Sequence, residues 1–164
     1  MIIVSNTSPL TNLAAIGQFS LLGRLYNEIH IANAVWSELN ARNQRWPGAE
    51  EIETSGYIYR HHIKNRVLAT ALGADLDNGE SESIVLALEL KSSFLLMDEK
   101  EGRHRAQRLG LKVVGVVGIL LEAKTRGMVK RISPFLDDLR QIAGFYLNDT
   151  LYDYALEIAG ESVK

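Results

Sequence analysis

Polar residues follow apolar runs at places where an α/β sheet would gather them. Asn6 follows the run Ile2–Val4, and Asp98 follows the run SFLLM. Both runs are typical of buried parallel strands, whose carboxyl ends adjoin the ligand sites of open α/β sheets. Glu38 lies in the predicted helix after the second strand, and a further glutamate lies in an apolar helix before Asp98. The pattern predicts that these side chains approach one another at one end of the sheet.

Glu80 and Glu82 are the alternatives for that further glutamate. They are about 200° apart around a helix of ~3.6 residues per turn, so both cannot face one site. The run Asp77-Asn78-Gly79-Glu80 has the spacing of a capping box, which gives Glu80 a structural role. Glu82 lies inside the apolar helix, where an unpaired charge is costly. The pattern favours Glu82 and leaves Glu80 as the alternative.

Converging carboxylates repel one another unless a cation neutralises them. Mg²⁺ and Mn²⁺ prefer oxygen ligands and retain water, which can then be activated against a phosphodiester. The candidate catalytic residues are therefore Asn6, Glu38, Glu82 and Asp98, and the candidate metal ligands are Asn6, Asp98, Glu82 and Glu80. Alone, Glu38 fits a solvated helix residue and Asp98 fits a helix cap, so the prediction depends on the combination.

Strands and helices alternate along the chain. Apolar runs predict strands at Ile2–Val4, EIHIA, YIYRHH, SFLLMD and LKVVGVV. Helical patterns include AVWSELNARN, the nearly all-apolar GESESIVLALEL, the basic EGRHRAQRLG and two final helices that begin at Ser133 and Asn148. This alternation predicts one α/β domain over residues 1–164, with a parallel sheet covered on both faces. The helices from about residue 133 onward pack on that domain or on a partner subunit.

Composition excludes several classes of protein. The chain has 164 residues, of which 46% are hydrophobic and 23% charged, and its formal net charge is −2. Such a charge does not mark a basic nucleic-acid-binding protein, and the lack of cysteine excludes disulfides, zinc–thiolate sites and thiol nucleophiles. No apolar run has the length of a membrane span or a signal peptide, so a cytoplasmic location is expected.

The order of motifs resembles the PIN domain. VSNTSPL is followed by the helical glutamate of AVWSEL, by LDNGESESIVLALEL and by LLMDEKEGR, over about residues 2–118. The sequence is most similar to the subgroup with a GE-x-E helix and a D-D/E-x-x-GR turn. The resemblance implies a three-layer α/β/α fold with a central, mostly parallel sheet of about four to five strands. It also implies a metal-dependent ribonuclease, as in the toxins of many toxin–antitoxin pairs.

The resemblance assigns each position a place in the family pattern. Asn6 holds the place of the first acid, Glu38 the second, Glu82 or Glu80 the third and Asp98 the fourth. Asn6 departs from the pattern, which has aspartate there, and this implies weaker metal binding and weaker catalysis. The resemblance further implies Mg²⁺ or Mn²⁺ as cofactor, RNA as substrate, and a homodimer and a small antitoxin as partners.

Three arginines after Asp98 are candidates for holding RNA phosphates. Arg105 and Arg108 share one helix face, and the resemblance of DEKEGR singles out Arg103. A solvated basic face is the alternative interpretation.

Neighbours of the acids are expected to support the site. Thr7 and Ser8 are predicted to orient ligands rather than to act as nucleophiles, because no histidine is placed to activate them. Glu99, beside Asp98, has the pattern of an exposed residue.

Other conspicuous residues have structural interpretations. Trp36 and Trp46 are predicted to pack rather than to stack on bases. His61 and His62 are predicted to lie on the surface, because adjacent side chains diverge in a helix or a strand.

The C-terminal run DTLYDYALEIAG places Leu151, Ala155 and Ile158 on one stripe, with Tyr152 and Tyr154 beside it. The stripe either packs on its own domain or joins two subunits.

Two other functions fit parts of the pattern. A PIN-like domain that has lost catalysis through Asn6 would serve as a module that binds nucleic acid or protein. A phosphoacceptor receiver domain also gathers acids around Mg²⁺, but it needs an acid pair after the first strand, where this chain has Asn6.

Overall fold

A five-stranded sheet forms the centre of the computed structural model, which describes residues 1–41 and 46–162. The strands are β1 (Ile3–Ser5), β2 (Ile29–Ala32), β3 (Ile58–His61), β4 (Phe94–Leu96) and β5 (Val113–Val114). All pairings are parallel, in the order β3-β2-β1-β4-β5. This confirms the predicted α/β class and its parallel sheet.

Helices cover both faces of the sheet. They are α1 (Thr7–Ala15), α2 (Ser20–Tyr26), α3 (Asn33–Leu39), α4 (Ala49–Thr54), α5 (Arg66–Leu72), α6 (Asn78–Glu89), α7 (Lys100–Arg108), α8 (Val116–Thr125), α9 (Ser133–Gln141) and α10 (Asp149–Ile158). Adjacent strand residues point to opposite faces, so Ile3 joins one core cluster and Val4 the other. Helices α5, α6 and α7 contribute to the cluster of Val4, and α1, α2, α3, α4, α8, α9 and α10 contribute to that of Ile3. The predicted three-layer α/β/α fold is confirmed.

The chain changes direction across the sheet between β1 and β4. From β1 it builds outward through β2 and β3, and then it returns to the other side of β1 for β4 and β5. The backbone N–H of Asn6 donates to Leu96 O at 2.8 Å, which joins the ends of the two central strands. Open α/β sheets bind ligands at this kind of switch point, and Asn6 and Asp98 both follow strands that end there.

Some element bounds differ from the sequence-based expectations. Strand β5 is shorter than LKVVGVV suggests, because α8 already begins at Val116, whose N–H donates to Asp98 Oδ1 at 2.9 Å. Helix α4, over Ala49–Thr54, was not predicted. The helix predicted for AVWSELNARN ends at Leu39, and the end of that prediction, residues 42–43, lies outside the described residues.

The two C-terminal helices pack on the cluster that contains Ile3. Leu136 and Leu139 of α9 and Ala155 of α10 are buried there. Across the described parts of the chain, no helix combines the length and the apolar character needed to cross a bilayer.

Candidate active site

A cleft of about 580 Å³ opens at the carboxyl edge of the sheet, beside the switch point between β1 and β4. It is lined by Asn6, Thr7, Ser8, Thr11, Glu38, Ala41, Trp46, Asp77 and Glu99. Glu80 adjoins the cleft through Asp77, and Asp98 adjoins it through Ser8. We call this site the acidic cleft, because five carboxyl groups surround it and Asn6 lies among them.

Asn6 is almost fully buried, with 3% of its surface exposed. Its Nδ2 donates to Glu99 Oε2 at 3.1 Å, and its Oδ1 accepts from Ser83 Oγ at 3.4 Å. The amide therefore supplies an N–H to a neighbouring carboxylate. A carboxylate at this position would lack that donor and would face Glu99 with like charge.

Glu38 reaches the acidic cleft from α3 and links three helices. Its Oε2 accepts from the Thr7 hydroxyl, and its Oε1 accepts from the backbone N–H of Gly79 at 3.1 Å. A Cβ on residue 79 would overlap the Glu38 carboxylate. The glycine that precedes Glu80 therefore makes room for the acid of another helix.

Asp98 is held by a backbone donor and a hydroxyl at the end of β4. Its Oδ1 accepts from the N–H of Val116, and its Oδ2 accepts from Ser8 Oγ at 3.3 Å. A Cβ on Gly115 would lie 2.8 Å from Asp98 Oδ1, so the tight entry into α8 depends on glycine. Arg103 lies near Asp98, and one of its guanidinium nitrogens donates to Met97 O at 3.0 Å.

Glu80, not Glu82, faces the other acids, and this corrects the preference drawn from the sequence. Glu82 Oε2 pairs with Arg66 at 2.8 Å, and its Oε1 accepts from Ala34 N at 3.1 Å, so its charge is neutralised outside the cleft. The capping box forms only in part. Asp77 Oδ1 accepts from Glu80 N at 2.7 Å, but the Glu80 carboxyl bonds to the Asp77 side chain.

Burial and mutual repulsion raise the pKa values of these carboxyls. Burial raises the pKa of Glu80 to about 8, assisted by the hydrogen bond from its carboxyl to Asp77 and by the charges of Asp77, Glu99 and Glu38. Burial raises the pKa of Asp98 to about 6, against the opposing effects of the Val116 N–H, the Ser8 hydroxyl and Arg103. The pKa of Glu38 is also raised, mainly by burial. Fully ionised, the cluster would hold more negative charge than its protein neighbours neutralise, and a pKa of about 8 leaves Glu80 protonated at neutral pH.

The residues present fit a hard divalent cation. Their donors are carboxylate and amide oxygens, the ligands that Mg²⁺ and Mn²⁺ prefer, and a cation would offset the burial and the mutual repulsion that together raise the pKa values. Within residues 1–41 and 46–162, no group of three or more aspartate, glutamate or histidine side chains is arranged so that it could hold a metal ion. The acids surround the cleft without converging on one point, so metal binding would require them to draw together.

The three predicted phosphate-binding arginines lie in different surroundings. Arg103 is directed toward Met97 O and Asp98 at the edge of the site. Arg105 pairs with Asp75 at 2.6 Å, and Arg108 is exposed at the end of α7. Of the three, Arg103, which the motif singled out, is the one with a described interaction with Asp98.

The predicted supporting residues all contact the site. Thr7 binds Glu38, Ser8 binds Asp98, and Glu99 binds Asn6. Glu99 is partly buried, whereas the sequence pattern suggested an exposed residue. The sequence-based reasoning missed Asp77, which was given only a capping role although it stands three residues before Glu80.

The two adjacent histidines also differ from the expectation that both lie on the surface. His62 is exposed, but His61 is partly buried, and its Nε2 lies 2.8 Å from His30 Nδ1 on the neighbouring strand. Parallel pairing of β2 and β3 brings these rings together, and sequence spacing alone does not show it.

Comparison with known proteins identifies a matching protein family. The family model DUF3368, a PIN domain, matches residues 2–161. A comparison with functionally curated proteins finds no significant match. Among solved structures, the chain is similar to a PilT N-terminus domain protein from the hyperthermophilic archaeon Sulfolobus solfataricus P2. The identity is 18%, the TM-score is 0.46, and the match covers 75% of this chain and 93% of the archaeal chain.

Proposed function

Because the chain belongs to the PIN-domain family, whose members are commonly nucleases, we propose that it is a divalent-metal-dependent endoribonuclease. The observation that carries this proposal is the gathering of Glu38, Glu80 and Asp98 around one cleft at the switch point of the sheet. Carboxyls whose pKa values are raised by burial and by neighbouring acids, in a cleft, are common at functional sites.

Glu80 and Asp98 are the proposed holders of Mg²⁺ or Mn²⁺. Asn6 joins them once its amide turns Oδ1 away from Ser83 and into the cleft. Glu38 is the acid proposed to orient or deprotonate the attacking water. When bound, the cation would supply Lewis-acid activation of that water and stabilise charge on the phosphate. Thr7 and the Gly79 N–H fix the Glu38 carboxylate. Ser8 and the Val116 N–H fix Asp98 in the same way.

Arg103 and Arg108 are the proposed contacts to RNA phosphates, with Arg105 as a third. Arg105 would have to exchange its pair with Asp75 for a phosphate. Because the net charge of the chain is −2, such local cations are needed if a polyanion is to approach the acidic cleft.

The test joins metal binding to cleavage. For the wild-type protein, calorimetry should show Mn²⁺ binding, and a fluorescent RNA should be cleaved in the presence of Mn²⁺. Asp98→Asn should lose both the binding and the cleavage. Asn6→Asp should gain in both, because it restores an anionic ligand. If wild type binds no divalent metal, and neither substitution changes cleavage, the nuclease proposal is wrong.

One observation favours a second function, a catalytically impaired module that binds nucleic acid or protein. Asn6 directs an N–H donor, not a charge, into the acidic cleft. Under this alternative, wild type would bind RNA without cleaving it, and Asn6→Asp would be the variant that gains metal affinity.

A homodimer is the proposed assembly, formed through the outer face of α10. Tyr152, Leu156 and Ala155 pack on the domain itself. Tyr154 (58% exposed), Leu151 and Ile158 form an exposed stripe three and four residues apart. Light scattering should show a dimer that Tyr154→Glu dissociates, and a wild-type monomer at high micromolar concentration would contradict this.

The toxin–antitoxin role is proposed on family resemblance alone. It predicts a small reading frame next to the gene, whose product binds this protein in the cytoplasm and stops cleavage. Co-expression with and without that product, followed by growth measurement, tests the proposal.

A further inference from the structure

We propose that the indole of Trp46 is a stacking platform for an unpaired nucleobase of a single-stranded nucleic acid bound across the acidic cleft. The inference rests on the proposed nuclease function and specifies its substrate as single-stranded. It replaces the packing role that the sequence suggested for Trp46.

The two tryptophans of the chain lie in opposite environments. Trp36 is partly buried, packs against the core cluster of Ile3, and lies under the Arg60 guanidinium, 4.4 Å from the ring centroid. Trp46 is 50% exposed and lines the acidic cleft with Asn6 and Glu38. A large aromatic surface that the fold leaves in water beside a polar cleft is available to a ligand.

The backbone of Trp46 is fixed although its side chain is exposed. Its N–H donates to Leu39 O at 3.2 Å, and its carbonyl accepts from Ala49 N at 3.1 Å. The next residue but one, Gly48, has φ +98°, and a Cβ there would lie 3.4 Å from Leu10 O. The end of α3 and the start of α4 therefore fix the backbone from which the indole projects, so stacking has to order only the side chain.

The chemistry of the cleft indicates what would stack there. Its volume, about 580 Å³, lies in the ordinary range for small-ligand sites. Carboxylates repel phosphates, so substrate affinity has to come partly from an uncharged surface. Base–aromatic stacking supplies such affinity and tolerates any sequence. Bases inside a duplex have both faces covered, so an unpaired base is the one that fits.

Fluorescence can observe Trp46 directly. The chain has two tryptophans, so Trp36→Phe leaves Trp46 as the single reporter. Titration with a phosphorothioate oligouridylate in Mg²⁺ should quench its emission saturably, because a stacked base quenches the indole. The phosphorothioate linkages slow hydrolysis during the titration. A blunt RNA duplex should bind at least about tenfold more weakly.

Substitution separates stacking from a structural role. Trp46→Ala should weaken binding of the single strand about tenfold and raise KM with little change in kcat, while Trp46→Phe keeps most of the affinity. Trp36→Phe is the matched control and should bind like wild type. Rescue by phenylalanine excludes simple unfolding as the cause.

The outcomes distinguish the two proposals. If wild type cleaves RNA but Trp46→Ala shows unchanged KM and unchanged affinity, the stacking inference fails and the nuclease proposal stands. If the protein binds the strand through Trp46 but cleaves no RNA, the stacking inference stands and the nuclease proposal fails. If the strand leaves Trp46 fluorescence unchanged, the stacking inference is wrong.

Discussion

Glu161 and the carboxyls of the acidic cleft are acids withdrawn from water, but their surroundings differ completely. Glu161, after α10, accepts from Lys124 Nζ at 2.8 Å, Ile132 N at 2.9 Å and Ser133 N at 3.2 Å. Burial alone would raise the pKa of Glu161, yet these donors lower it to about 2. In the cleft, burial and neighbouring acids raise the pKa of Glu80 to about 8.

The difference shows which acids serve the fold. Glu161 ties the C-terminus to α8 and to the start of α9, so its charge is part of how those helices stay together. Among the described residues, the acids of the cleft lack the donors that would let all of them ionise, so without a cation Glu80 keeps its proton at neutral pH. Donors lower the pKa of Glu161, whereas the pKa values of Glu80 and Asp98 in the cleft stay raised. The cleft is therefore the region to test for function.

The largest expected effect separates two glutamates of one helix. Glu80→Gln removes a carboxyl that can ionise to bind metal in the cleft, and it should lower kcat/KM for Mn²⁺-dependent RNA cleavage at least about a hundredfold. Glu82→Gln is the matched control, because Glu82 pairs with Arg66 outside the cleft, and it should change cleavage less than about threefold. Steady-state cleavage assays on both variants measure this, and a larger loss for Glu82→Gln would reverse the assignment of the third acid.

The choice between Glu80 and Glu82 shows what could not be predicted from the sequence. The strand ends that carry Asn6 and Asp98 follow from apolar runs, because period and burial are local properties. The choice between Glu80 and Glu82 depends on Arg66, a residue of another helix that neutralises Glu82. Sequence spacing contains no information on that contact.

The same reasoning applies to Trp46 and to Asp77. From the sequence, Trp46 is predicted to pack, but in the structure other residues fill the core and Trp46 is 50% exposed. Asp77 satisfies a helix N-terminus, as predicted, and lines the cleft as well. A second role for one side chain becomes visible only when α3 and α6 are brought together, as in the contact between Glu38 and Gly79.

The second prediction concerns Glu161, the acid whose charge stabilises the fold. Glu161→Gln removes the charge that three donors share and should lower the free energy of unfolding by about 1–3 kcal/mol. Urea denaturation followed by circular dichroism measures the change. Glu157→Gln, on an exposed residue of α10, is the control and should stay within about 0.5 kcal/mol of wild type. Equal stability of the two variants would mean that the Glu161 contacts contribute nothing net.

A pH series sharpens the same difference. Because the pKa of Glu161 is lowered in the folded state, its contribution is fully present above its ordinary pKa and is lost as the pH falls toward about 2. Wild type should therefore exceed Glu161→Gln in stability at pH 6, and the two curves should converge between about pH 5 and pH 2. Thermal unfolding of both proteins across this range tests the convergence, and a constant gap down to pH 2 would show that charge is not the cause.

The smallest expected effect, and the most informative about the cleft, is that of Asn6→Asp. In wild type, Asn6 Nδ2 donates to Glu99 Oε2 at 3.1 Å. The substitution removes that donor and sets two like charges side by side, so the metal-free variant should unfold at a lower temperature than wild type. The added anionic oxygen should raise Mn²⁺ affinity about tenfold, equivalent to about 1.4 kcal/mol. Mn²⁺ should then stabilise the variant more than it stabilises wild type.

A double substitution tests whether the stability lost in metal-free Asn6→Asp comes from repulsion between the new carboxylate and Glu99. Asn6→Asp combined with Glu99→Gln restores an N–H donor opposite the new carboxylate, so the metal-free stability should return toward the wild-type value. Thermal unfolding of the four proteins, with and without Mn²⁺, gives the coupling between the two positions. If Asn6→Asp alone costs no stability without metal, the amide of Asn6 is not what balances Glu99. In that case, repulsion within the cleft is weaker than the raised pKa values imply.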